Sequence, residues 1–262
     1  MSAILPDGSI VHYEVLGRGR PIIFLHGWVG SWRYWISSMQ ISSTMFRSYA
    51  VDMWGFGDTS HESMRYSLDE QVKLLNRFLE EMGIGRVALI GHGLGALVGL
   101  YYTLRMPQTV DRIMAVNCPL GADAINPRMR TSPLADLIDW LSSRTPEAQS
   151  ALTDAIKADP QALIAPMSAV QADNLVEQVK QMHVPCLFVH GQNDPAITLP
   201  SEDLLLRLPL NVHQITLEET GHFPMIDGSA RFNRLLTDFL ALESGVSPRE
   251  LQLKEEWKRR VR

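Results

Sequence analysis

The chain has 262 residues, 45% of them hydrophobic and 20% charged, and a formal net charge of −5. This length suits one α/β domain with an insertion and allows a sizeable core, while the acidic balance argues against a nucleic-acid binder. No stretch has the roughly 18 uninterrupted apolar residues of a membrane span. Met1 to Gly8 shows no basic start and no apolar run before the Pro6-Asp7-Gly8 turn, so no secretory signal is read and a cytoplasmic protein is expected. Cys118 and Cys186 are too few for a disulfide framework or a zinc site, and their apolar surroundings predict buried free thiols.

Ser9 to Leu16 alternates as a strand and ends in the turn Gly17-Arg18-Gly19-Arg20-Pro21, which predicts an opening antiparallel hairpin. Ile22 to Leu25 and Tyr49 to Asp52 are short apolar runs, each followed by a glycine-containing loop, as buried parallel strands are. A helical segment around Trp32 to Ile41 separates them. From Ser67 a helical stripe follows (Leu68, Val72, Leu75, Phe78, Leu79, Met82), with Ser67 and Glu70 forming a capping box and Gly83 the stop. Val87 to Ile90 is a strand, and Leu94 to Met106 is apolar on nearly every face until Pro107, as in an interior helix. Ile113 to Asn117, Cys186 to His190 and Val212 to Leu217 supply three more strands, and Phe232 to Leu240 a closing amphipathic helix. Strands alternating with helices predict a mostly parallel central sheet with helices on both faces and the loops of interest at the strands' carboxyl edge.

One block interrupts the alternation. From about Pro119 to Gln181 there is no strand signal, only helical pieces punctuated by prolines. The expected organisation is a core of residues 1–118 and 167–246, a helical lid at 119–166, and a basic amphipathic tail at 247–262, read as a solvated helix packed on the body.

The stretch Gly91-His92-Gly93-Leu94-Gly95 lies where an apolar strand turns into an apolar helix. It has the form of a nucleophile elbow, G-x-S-x-G, with Gly93 where the serine would stand. Four further loops fall in order: His26-Gly27-Trp28; Asp52 to Ser60; His190-Gly191-Gln192-Asn193-Asp194-Pro195; and Glu219-Thr220-Gly221-His222-Phe223-Pro224. Together the five motifs resemble the α/β-hydrolase family, esterases and lipases among them, over nearly the whole chain from Ser9 to Leu242. The resemblance implies the α/β-hydrolase fold with a cap insertion. It also implies an oxyanion hole from the backbone N–H groups of Trp28 and Leu94, Asp194 as the acid and His222 as the base of a triad. The Asp52 loop matches a structural turn of the family and carries no chemical role.

Gly93 is the one departure. An elbow holds its central residue in a strained conformation that glycine largely escapes, but glycine also lacks the hydroxyl that covalent acyl transfer requires. The expected function is accordingly a carboxylic-ester or acyl hydrolase scaffold without its nucleophile, whether by natural variation or by design, retaining the His222–Asp194 dyad and the oxyanion donors. A water activated by the dyad is the residual mode of hydrolysis. The alternatives are a catalytically silent pseudo-hydrolase that binds a small ligand, and base-only lyase or dioxygenase-type chemistry. His92 is read as packing beside the elbow, Cys118 as a buried thiol, and Ser31 and Trp28 as pocket-shaping residues. The expected partner is a small apolar ester-like molecule. No metal or organic cofactor is implied, since no ligand-spaced cluster is present and Gly91 to Gly95 lacks the G-x-G-x-x-G spacing of a dinucleotide site.

Overall fold

The computed structural model describes residues 2–172 and 175–253. Eight strands, β1 (Ser2–Ile4), β2 (Val11–Leu16), β3 (Arg20–Leu25), β4 (Phe46–Val51), β5 (Val87–His92), β6 (Val110–Val116), β7 (Cys186–Gly191) and β8 (Val212–Leu217), form one sheet. Their spatial order is β1-β2-β4-β3-β5-β6-β7-β8. From β4 to β8 the pairings are parallel, while β1 with β2 and β2 with β4 are antiparallel. The sheet centre is apolar throughout, with Ile22, Ile23, Phe24, Leu89, Ile90, Ile113, Met114, Phe188 and Val189 all buried.

The expected opening hairpin is corrected by this order. β2 and β3 are consecutive in sequence but not neighbours, because β4 lies between them. Ile22 to Leu25 is apolar at every position and takes a parallel partner on each side, β4 and β5. The antiparallel partner of β2 at the edge is the short β1 instead.

Helices α1 (Ile36–Ser42), α2 (Leu68–Glu81) and α3 (Leu94–Arg105) connect the first strands. Ser67 caps α2 by accepting from Glu70 N–H at 3.2 Å, while the Glu70 carboxylate pairs with Lys73 rather than closing the box. Gly83, at φ +64°, ends α2, with Ile84 N–H reaching back to Leu79 O at 2.8 Å. Every residue of α3 from Leu94 to Thr103 is buried, against α2 on one side and β3, β5 and β6 on the other.

Among the described residues, six short helices lie between β6 and β7: α4 (Arg128–Thr131), α5 (Leu134–Leu141), α6 (Pro146–Ala151), α7 (Pro160–Ile164), α8 (Met167–Ala172) and α9 (Leu175–Lys180). After β7 follow α10 (Glu202–Leu206), α11 (Pro224–Asp227) and α12 (Ser229–Leu240), and α12 packs on α1. The inserted helices are held to the core on two sides. At the start of the insertion, Ile125 bridges Ile197, and Asn126 N–H donates to Ala196 O at 2.8 Å. Further along, Arg33 pairs with Asp154, Lys157 with Asp58 at 2.8 Å, and Tyr66 O–H donates to Asp159 at 3.0 Å.

A 3₁₀ turn at Pro248–Leu253 packs on β8 and α12, and Arg249 donates to the carbonyls of Leu208, Pro209 and Val212. The rest of the expected basic tail, residues 254–262, lies outside the described residues. No described helix is long and apolar enough to cross a membrane.

The sheet order places one switch point in the molecule's centre. From β3 the chain moves outward to β4 and then returns to add β5 on the opposite side. Loops leaving the carboxyl ends of β3 and β5 therefore diverge around a crevice, the usual ligand position of an open α/β sheet.

Candidate active site

The loop after β3 is His26-Gly27-Trp28, and the turn after β5 is centred on Gly93. Gly93 has φ +51° and ψ −110°, outside the regions open to residues with a Cβ. Its N–H donates to Val116 O at 2.9 Å and its carbonyl accepts from Leu97 N–H at 3.1 Å, so the turn is tied to β6 behind and to α3 ahead. Gly95 permits the helix to lie against β3: a Cβ there would stand 2.4 Å from Leu25 O.

The Trp28 side chain lies over Gly93, and a Cβ on Gly93 would sit 3.2 Å from its ring and 3.6 Å from Gly27 Cα. Leu94 occupies the first position of α3, where helix geometry leaves N–H groups without intrahelical acceptors. Trp28 and Leu94 thus flank position 93 from two different loops.

Asp194 follows β7 and His222 follows β8. His222 Nδ1 is 3.0 Å from both oxygens of Asp194, and the two side chains are 0% and 2% exposed. Asp194 Oδ1 also accepts from the N–H groups of Ala196 (2.8 Å) and Ile197 (3.2 Å), which orients the carboxylate. His222 Nε2 is buried and has no hydrogen-bond partner among the described residues. A carboxylate on Nδ1 fixes the tautomer and leaves Nε2 able to accept a proton. Asp194, His222, Trp28, Leu94 and Gly93 thus come from four loops at one edge of the sheet.

His92 connects them. Its ring meets the His222 ring edge-on, with centroids 4.7 Å apart. Tyr34 O–H donates to His92 Nδ1 at 2.9 Å, and the same hydroxyl accepts from Gly27 N–H. Burial, then the neighbouring His222, holds the His92 pKa well below the ordinary range, so the ring is neutral. His92 therefore packs beside the elbow as the sequence suggests, and through Tyr34 it also ties that elbow to the His26-Gly27-Trp28 loop. His26 is neutral for the same first reason, burial. Its Nε2 accepts from Met53 N–H at 3.0 Å and its Nδ1 donates to Gly27 O at 2.8 Å.

Two side chains with structural work near the site have only faint sequence signals. Tyr34 sits in the aromatic run Trp32-Arg33-Tyr34-Trp35, and Asn117 ends an apolar strand. Asp52 is buried in a turn, accepting from His12 Nδ1 (2.8 Å), Trp32 N–H (2.8 Å) and Asp58 N–H (3.2 Å). Cys118 and Cys186 are buried free thiols, both raised by burial away from the reactive thiolate. Ser31 is buried and caps the Trp32–Trp35 turn through Arg33 N–H.

An open cleft of about 580 Å³ runs between the 140–147 segment of the insertion and the acid and histidine loops. Trp140, Thr145, Glu147, Asn193, Gly221, His222 and Asp227 are among its lining residues. This volume is in the range of small-molecule sites.

Comparison with known proteins places this geometry in context. The chain is similar to 2-hydroxy-6-oxo-2,4-heptadienoate hydrolase of Pseudomonas putida, with 27% identity covering 92% of this chain and 96% of the relative. It is also similar to 2-hydroxy-6-oxo-6-(2'-aminophenyl)hexa-2,4-dienoic acid hydrolase of Metapseudomonas resinovorans, at 23% identity over 92% of this chain and 90% of that one. Among solved structures, an esterase from Exiguobacterium antarcticum superposes with a TM-score of 0.80 at 18% identity, covering 92% of this chain and 99% of the esterase. The model of the alpha/beta hydrolase family matches residues 22–235, from β3 through α12 and so across every loop of the site. The chain belongs to the alpha/beta hydrolase family.

Proposed function

We propose that this protein hydrolyses small apolar acyl compounds, carboxylic esters first among them, by general-base activation of water rather than through a covalent intermediate. The observation that carries the reading is the pair His222–Asp194: hydrogen-bonded, buried, and with Nε2 of the histidine lacking a partner among the described residues. In this reading Nε2 takes a proton from water as its oxygen attacks the acyl carbon, and Asp194 stabilises the imidazolium that forms. The N–H groups of Trp28 and Leu94 receive the oxyanion. Collapse of the tetrahedral intermediate breaks the bond to the leaving alkoxide, which takes the proton back from Nε2. The helical insertion at 119–166 acts as the lid that shapes the acyl pocket. The hydrolase names of the sequence relatives support the reaction class.

Without a nucleophile such a site gives a rate of about 10³–10⁴-fold over water, the residual expected from an oxyanion hole and binding. The test uses short- and medium-chain p-nitrophenyl esters and a serine-directed phosphonate probe. Unaltered chain is expected to cleave esters slowly, His222→Ala to lose that activity, and Gly93→Ser to gain faster turnover and probe labelling. Equal ester cleavage by the unaltered chain and His222→Ala would mean the dyad is idle. A second reading, a silent ligand-binding protein, is favoured by the glycine itself, which relieves the elbow while deleting its hydroxyl. A folded Gly93→Ser variant that neither labels nor turns over would favour it.

A further inference from the structure

Asn117 stands directly after β6 with φ +42°, a left-handed backbone uncommon outside glycine. Its side chain is fully buried. Oδ1 accepts from Gly191 N–H at 2.9 Å, and Nδ2 donates to His222 O at 2.9 Å with Gly221 O at 3.4 Å. Its own N–H donates to Val189 O at 2.8 Å. Gly191 opens the turn that presents Asp194, and Gly191 O accepts from Asp194 N–H at 3.3 Å. One primary amide thus grips the acid loop with its oxygen and the base loop with its nitrogen.

No other side chain of this size performs both roles. An aspartate accepts from Gly191 but, ionised, cannot donate to the His222 carbonyl. Leucine would strand a buried N–H and a buried C=O. Asparagine is also the residue, after glycine, that best tolerates the left-handed backbone found here. A strained conformation held among fully satisfied buried hydrogen bonds is the pattern of a residue placed for function.

We propose that Asn117 is a positioning residue that sets the spacing and orientation of the His222–Asp194 pair. The proposal rests on the reading of His222 as the general base. It predicts that the Asn117 amide, and not merely its backbone conformation, governs the dyad.

The test compares Asn117→Ala with Asn117→Gly, which deletes the same amide while relieving the left-handed backbone and so protects the fold. Two readouts are used: the low-field proton resonance of His222 Nδ1 in the otherwise unaltered chain, and p-nitrophenyl ester kinetics in the Gly93→Ser background. In both variants the resonance is expected to shift or broaden away, and kcat to fall at least tenfold with KM within twofold. If Gly93→Ser turns over and either readout is unmoved by the folded Asn117→Gly variant, the positioning role is overturned. If Gly93→Ser itself shows no turnover, the hydrolase reading fails, and the His222 resonance alone then decides whether Asn117 sets the dyad.

Discussion

The indole of Trp28 covers Gly93 so closely that a Cβ added to the glycine would lie 3.2 Å from Cε3 and 3.4 Å from Cζ3 of the ring. Two separate effects therefore act on any side chain there. Its backbone must hold φ +51°, at a cost on the order of 1–3 kcal/mol, and the indole must yield by a few tenths of an ångström. Gly93→Ala and Gly93→Ser are both expected to unfold at lower urea concentration, by about that free energy. In a double-mutant cycle, the loss caused by Gly93→Ser is expected to be smaller in a Trp28→Leu background than in the unaltered chain, whatever Trp28→Leu itself costs. Unchanged midpoints for both single variants would show that the turn carries no strain.

Tyr34→Phe deletes a hydroxyl that accepts a hydrogen bond from Gly27 N–H and donates one to His92 Nδ1. Both partners are buried, and leaving such groups unpaired costs about 1–3 kcal/mol each. The variant is expected to lose roughly 2 kcal/mol of stability, and the Gly27 amide to exchange with deuterium faster than its neighbours. Exchange at an unaltered rate would show that Tyr34 does not hold the His26-Gly27-Trp28 loop.

Arg112 is a buried guanidinium, 2% exposed, at the start of β6. It donates to Phe239 O at 2.6 Å, Glu243 O at 3.1 Å and Asp111 Oδ2 at 2.8 Å, and so staples the end of α12 to the sheet. A lysine has neither the planar fork nor the reach to replace all three bonds. Arg112→Lys is expected to lose about 3 kcal/mol, the order seen when one member of a buried charged network is removed. A loss under 1 kcal/mol in denaturant titration would contradict this.

Three histidines, His12 and His190 buried and His213 half-buried, are expected to contribute to the pH dependence of stability with opposite signs. Burial pushes His190 and His213 down to about 4, with Arg249 adding to the effect at His213. The unfolded chain then binds protons more readily, so their contribution is present above about pH 6.5 and is lost as pH falls toward 4. Burial also acts to lower His12, but the hydrogen bond and charge of Asp52 outweigh it and the net shift is upward. The His12 contribution is full below about pH 6.5 and lost as pH rises through the raised value. Melting curves of His213→Gln should show a shallower acid decline than the unaltered chain. The deficit of His12→Gln should be largest at low pH and shrink as pH rises; a deficit that grows with pH would reverse the assigned sign.

Most of the sheet was legible because its strands are buried on both faces, so Ile22 to Leu25, Val87 to Ile90 and Cys186 to His190 stand out as unbroken apolar runs. β1 was not, since three residues at an edge leave no pattern to read. The sheet order at β2 was misread because sequence adjacency suggests a hairpin, whereas pairing is decided by which strand needs covering on both sides. Within the candidate site, the loops that bring Asp194 and His222 together are legible through their motifs. Asn117 and Tyr34 were not, because both act through main-chain partners distant in sequence: Asn117 reaches across 74 and 105 residues to Gly191 and His222. Local patterns do not encode such distances.

The helical insertion is tied to the core close to Asp194. The backbone bridge that joins its beginning to the core pairs Ile125 with Ile197, and the N–H of Ile197, with that of Ala196, is what steadies the Asp194 carboxylate. The backbone that receives Ile125 and the backbone that holds the Asp194 carboxylate are one short piece of chain, 194–197. A substitution that displaces Ile125 is therefore expected also to displace the amides that hold the Asp194 carboxylate.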